Sequence, residues 1–241
     1  MDNQYSVFID AGAVVLLSST LLAQERQDVL NSVLFAQLVA NKKYPEFARA
    51  GGWYETYLGV LKDSWLQRSV AWDSFAVDDA SKRAMVNWVE NRLEAPSART
   101  TIAHVMRAFD DIVHLPDTHP VIERLREQTL RPENDKDGDS PASCNVRLQI
   151  IVARQGLLMD SLFVEFKTTV QGASDPLGHL FSTEHVEGNI YLRWFNANLS
   201  PVLYGSIREA VVRKLGGKAA NNILAVDVQA GEVPLTPEVS L

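Results

Sequence analysis

The hydrophobic side chains of this chain change period once, and that change sets most of what it can fold into. Up to about residue 130, large apolar residues recur every three or four positions, the spacing of one helix face; beyond residue 144 they alternate, the spacing of one strand face. Between the two regimes lies Arg131–Ser143, RPENDKDGDSPAS, which holds no large apolar side chain and combines Pro, Gly, Asp and Ser. That composition predicts an acidic linker or loop.

In the first regime, a β-like stretch at Tyr5–Ile9 and a turn at Asp10-Ala11-Gly12 precede Leu22, Val29, Leu30, Val33, Leu34, Leu38 and Val39, whose spacing predicts a helix over 20–41. Tyr54, Tyr57, Leu58, Leu61 and Trp65 predict a second helix over 53–66, and the Val-, Trp- and Phe-rich run Ser69–Val77 predicts a strand. Asp78 or Asp79 then caps a helix with Met85, Trp88 and Val89 inward, closed by Pro96. Ser97 starts another, striped by Ile102, Val105, Met106, Phe109, Ile112 and Val113, and Pro120 starts a short one carrying Val121, Ile122 and Leu125.

In the second regime, Val146, Leu148, Ile150 and Val152 alternate with polar residues, as do Leu162, Val164, Phe166 and Thr168 after the turn-like Gln155-Gly156, so the two runs read as a hairpin. A third strand is expected over 189–196. Ser200-Pro201 and Gly216-Gly217 bracket a helix, and Ile223–Val228 supplies a last strand. The fold class is therefore α+β: a helical N-terminal half packed with a mostly antiparallel sheet of about four strands, backed by a C-terminal helix. Such a sheet buries one face and leaves the other wet. The expected organisation is a mainly helical region 1–130, the linker 131–143 and a β-rich region 144–241, with a single compact domain as the alternative.

Charge and cysteine content narrow the function classes. A net charge of −7 argues against a general grip on nucleic acid, which needs clustered Lys and Arg. A single cysteine, Cys144, rules out an intramolecular disulfide. No Lys or Arg precedes the apolar run Ala11–Leu17, so a Sec signal peptide is not expected. That run is also too short to cross a bilayer, so no transmembrane segment is expected. The location that follows is the cytoplasm, or export without a Sec signal.

Metal chemistry is suggested in three places and complete in none. Glu133, Asp135, Asp137 and Gly138 fit the start of an EF-hand loop, but Cys144 stands where a bidentate Glu is required. Asp110 and His114 lie one helical turn apart and would share a face. The opening Val7–Leu17, VFIDAGAVVLL, resembles the first strand and helix of PIN-domain nucleases, in which an Asp at the strand's end helps hold a divalent metal. The resemblance implies such a role for Asp10 alone, since no downstream acidic motif matches. No metal and no cofactor is therefore expected. Nucleophile elbows and Gly-rich phosphate loops are absent, which weighs against an enzyme.

What remains is surface. Trp53, Tyr54, Tyr57, Trp65 and Trp72 crowd one window; most fall on helical inner positions and are expected to pack in the core, with Trp53, beside Gly51-Gly52, the one expected to be exposed. The polar face of the sheet would carry Arg147, Glu165, Lys167, Tyr191, Arg193 and Asp227. Trp53, Tyr54 and these six residues form the candidate binding surface. The reading is a non-catalytic interaction or assembly protein that contacts a protein partner or itself. The alternatives are a secreted or delivered membrane-active effector making peripheral contact with lipid, and a metal-dependent hydrolase or nuclease centred on Asp10.

Overall fold

A computed structural model describes residues 5–47, 50–76, 98–134, 141–169 and 186–226. Its strands are β1 (Tyr5–Asp10), β2 (Ala13–Ser18), β3 (Trp65–Ala76), β4 (Leu130–Asn134), β5 (Pro141–Arg154), β6 (Leu158–Thr169), β7 (Val186–Leu199) and β8 (Ile223–Ala225). Its helices are α1 (Ala23–Lys43), α2 (Ala50–Leu61), α3 (Ala98–Val113), α4 (Pro120–Thr129), α5 (Pro201–Leu215) and α6 (Lys218–Asn222).

All eight strands join one sheet in the order β3-β7-β6-β5-β2-β1-β8, with β4 pairing to the start of β5. Every pairing is antiparallel except that of β2 with β5. The sheet is thus twice the size expected from the alternating pattern, because three strands lie before residue 131 and a fourth straddles it. β2 carries no alternation to read: all six of its residues are buried, since it lies between β1 and β5 with both faces covered. Ala13, Val15 and Leu17 enter one core, and Val14 and Leu16 the other.

That second core corrects the expectation of a wet face. Beside Ala13, Val15 and Leu17, α1, α2 and α5 cover the sheet; on the opposite side, Ala108, Phe109 and Ile112 of α3 and Val121 and Leu125 of α4 pack on Val146, Leu148, Ile150, Leu162 and Val164. The sheet lies between two helical layers.

Local signals set the helix ends. Glu25 accepts the Leu22 N–H at 2.8 Å at the start of α1, and Lys42 and Lys43 sit at its negative end. Ser200 Oγ accepts the Leu203 N–H at 3.3 Å, Pro201 opens α5, and Gly216 ends it with φ of 49°. α2 stops at Leu61, earlier than the periodicity predicts, and Trp65 begins β3 instead. The Trp65 ring is buried, with its Nε1–H donating to Ser32 Oγ at 3.1 Å, so tertiary contact outweighs the helical spacing.

The predicted linker is also shorter than expected: β4 occupies its first four positions, and β5 begins at Pro141. The helix expected over 78–96, the caps at Asp78, Asp79 and Ser97, Asp135, Asp137, Gly138, and everything from Asp227 onward lie outside the described residues.

Candidate functional site

The long strands β5, β6, β7 and β3 set residues side by side in rows. One row runs Gln149–Phe163–Arg193–Trp72, the next Arg147–Glu165–Tyr191–Ser74. Directly opposed residues share a face, here the face under α2. The register therefore brings Arg147, Glu165, Tyr191 and Arg193 of the expected surface together.

That group is partly covered. α2 lays Trp53, Tyr54 and Tyr57 over Phe163 and Phe195, with Trp53 stacked 5.4 Å from both Tyr57 and Phe163. Trp53 is therefore buried rather than exposed, and Tyr54 with it. The Arg193 guanidinium lies 5.4 Å from the Tyr54 ring centre, and its Nη1 donates to Glu165 Oε2 at 3.2 Å. Burial pushes the Glu165 carboxyl up despite that partner, and pushes the Tyr54 phenol up as well.

Arg147 is 5% exposed, and its hydrogen-bond acceptors among the described residues are main-chain carbonyls. Its Nε donates to Phe47 O at 3.1 Å, and its Nη2 to Glu46 O at 2.6 Å and to Phe47 O. Desolvation lowers the guanidinium to about 10. Beside it opens a small cleft, with room for about one water, whose walls include Gln37, Asn41, Phe47, Trp53, Gln149 and Phe163.

Toward the outer strand, the same face becomes apolar and open. Trp72 is 76% exposed and Val70 55%, while Tyr191 stands partly exposed one row over. Leu66, 54% exposed near the start of β3, pairs with Asn198 and lies on the opposite face of the sheet. Ser200 donates its N–H to Ser64 O at 2.9 Å, so α5 begins beside that end of β3 and carries Val202, 82% exposed, and Leu203. Among the described residues β3 ends the sheet, so its outer main-chain edge has no strand partner there. The sequence carried a signal for this rim: Trp72 and Val70 alternate on one strand face, with no helix stripe to bury them.

The other candidates lie apart. Lys167 is exposed and pairs with Glu133 at 2.5 Å, a contact that lowers the Glu133 carboxyl. Asp110 and His114 share an exposed turn of α3, with His114 Nδ1 3.6 Å from Asp110 Oδ1. Asp10 is wholly enclosed, its carboxylate oxygens have no hydrogen-bond partner, and burial raises its carboxyl well above the usual range. Among the described residues no three His, Cys, Asp or Glu side chains converge on a metal position. The segment after Asp10 is also not the helix implied by the PIN-domain resemblance. Ala11 takes φ of 50° in a tight turn, and the β-branched and Leu-rich run returns as β2.

No protein-family model and no curated protein matches the chain. Among solved structures, it is similar to a delta-endotoxin with 11% identity, covering 77% of this chain and 80% of that one, at a TM-score of 0.42. It is also similar to the activated Cyt2Ba monomer from Bacillus thuringiensis subsp. israelensis, with 9% identity, coverage of 79% and 98%, and a TM-score of 0.36. The Evf virulence factor follows with 10% identity, coverage of 89% and 82%, and a TM-score of 0.34. Likeness at these scores assigns neither a family nor an activity.

Proposed function

We propose that the protein is a membrane-active effector that meets lipid through the apolar rim of β3. The observation that carries this reading is the exposure of Trp72 and Val70 on one face of the outermost described strand, with Tyr191 of the neighbouring strand beside them. Solvent-exposed apolar side chains gathered in one place mark contact surfaces, and Trp and Tyr suit the lipid headgroup layer because each joins an apolar ring to a polar tip. Strand length supports the same reading. β3, β5, β6 and β7 run 12 to 14 residues each, and a tilted strand of roughly 9–11 residues crosses a bilayer. No described helix is long and apolar enough to do so.

The endotoxin and virulence-factor names attached to the similar structures suggest which activity to assay first; the reading itself rests on the rim. Release of an encapsulated dye from neutral and anionic vesicles between pH 5 and 8 tests it. Wild-type protein is expected to release dye, and Val70→Ser with Trp72→Ser to release several-fold less. No release from either vesicle type across that range rejects the reading.

Assembly through a partner strand is the second reading. It is favoured by the outer edge of β3, which has no strand partner among the described residues, since such an edge accepts further strands. Mass by light scattering that stays monomeric at high concentration, with and without vesicles, rejects it.

A further inference from the structure

We infer that the small cleft beside Arg147 is a binding site for one water molecule, which joins Arg147, Gln149 and the main-chain carbonyl of Gln128. The site is separate from the rim of β3 and does not rest on the membrane reading.

Three polar groups meet there with bonding capacity to spare. Arg147 spends Nε and Nη2 on the main-chain carbonyls of Phe47 and Glu46, while its enclosed Nη1 has no hydrogen-bond partner among the described residues. Gln149 is buried; its Nε2 donates to Ser161 Oγ at 3.2 Å, and its Oε1 is likewise without a partner. The third group follows from the sequence. A helical carbonyl accepts from the N–H four positions on, and for Gln128, in the last turn of α4, that position is Pro132, which has no N–H. The Gln128 oxygen lies 3.5 Å from where a β-carbon on Gly12 would stand, and Gly12 and Gln128 both line the cleft.

Donor and acceptor character then selects the occupant. Nη1 donates and the two oxygens accept. The oxygens would repel an anion, the guanidinium would repel a cation, and an apolar group would leave all three unpaired in an enclosed setting, which is costly. Water both accepts and donates. It takes the Nη1–H and gives one hydrogen to each oxygen, matching the roughly three bonds that a buried water makes. The cleft holds about one such molecule. Gln37 and Asn41 line the same wall but are already engaged: Gln37 Oε1 accepts the Gly12 N–H at 3.0 Å and its Nε2 donates to Asp10 O at 2.8 Å, while Asn41 Oδ1 accepts the Trp53 Nε1–H at 2.6 Å.

Placement gives the water a role. The Arg147 guanidinium lies 5.9 Å from the Trp53 ring centre of α2, on one side of the sheet, whereas Gln128 belongs to α4, whose Val121 and Leu125 pack on the other. The water therefore links the two helical layers beside the β1–β2 turn, where Gly12 O accepts the Gln149 N–H at 3.0 Å.

Gly12→Ala tests this by its sign. Gly12 does not have a positive φ, so alanine suits the backbone, and its methyl enters the cleft at ordinary contact distance from Gln128 O and Gln37 Oε1. Filling a dry gap and replacing a glycine would both raise the urea unfolding midpoint, whereas displacing a bonded water lowers it. Oxygen-17 relaxation dispersion of the solvent counts long-lived buried waters in the full chain, and the wild type is expected to hold one more than the Gly12→Ala variant. If that variant does not fold, Gln149→Met, which removes one acceptor at similar length, is expected to lose the same water. A Gly12→Ala midpoint equal to or above that of the wild type overturns the inference, as does a water count that neither substitution changes.

Discussion

Arg208 of α5 grips the buried carboxylate of Asp28 in α1 with two parallel hydrogen bonds, Nε to Oδ1 at 2.8 Å and Nη2 to Oδ2 at 2.6 Å. The two residues are 180 positions apart, and Gln24 Nε2 adds a third bond to the same Oδ1 at 2.8 Å. This fork ties the C-terminal helix to the first one. Arg208→Met leaves the enclosed Asp28 charge with Gln24 alone. It is expected to lower the unfolding midpoint and to speed amide hydrogen exchange in α5 more than in β5 or β6; uniform exchange across the three would contradict the assigned role.

Asp10 gives the fold a distinctive pH dependence. Its folded-state carboxyl titrates well above its ordinary value of 3.8, from burial alone. Between those two values the folded chain holds a proton that the unfolded chain has lost, so this residue's contribution to stability falls as pH rises. Asp10→Asn is expected to remove that decline, and so to gain on wild type as pH rises above about 4. Urea melts at several pH values measure it, and parallel profiles for wild type and the Asp10→Asn variant would show that the carboxyl is not enclosed as described.

Trp65 joins β3 to α1 through a buried ring and one hydrogen bond to Ser32. Trp65→Ala should cost about 3–5 kcal/mol, the range for removing a large aromatic side chain from a packed core. Trp65→Phe keeps most of the packing and loses the Ser32 bond, so its cost should be nearer ~1 kcal/mol plus the lost area. Denaturant unfolding of the two variants separates packing from hydrogen bonding.

How much of this was legible in the sequence depended on what covers each residue. The hairpin of β5 and β6 could be read because alternating residues along it enter cores of different composition: Leu148 and Val164 pack on α3 and α4, whereas Arg147 and Glu165 lie on the side of α2. The same alternation could not reveal that α2 arrives over the charged row, because that contact links residues far apart in the chain, as Arg147 and Trp53 show. β2 escaped notice because a strand buried on both faces has no period. β4, reading LRPEN, carries almost no strand signal and takes its conformation from pairing with β5. The cleft beside Arg147 was invisible for a further reason: Gln37 and Asn41 read as ordinary polar positions of α1 until the sheet beneath them is in place.

The rim of β3 can be tested at a single position. With Cys144→Ser removing the native thiol, Trp72→Cys offers one labelling site for an environment-sensitive fluorophore. On addition of vesicles the label at position 72 should shift to the blue and be quenched by lipid-borne quenchers, whereas a label at exposed Glu209 on α5 should respond less. A label at position 72 that stays in water while the protein sediments with the vesicles would contradict the claim that this strand is where the protein meets lipid.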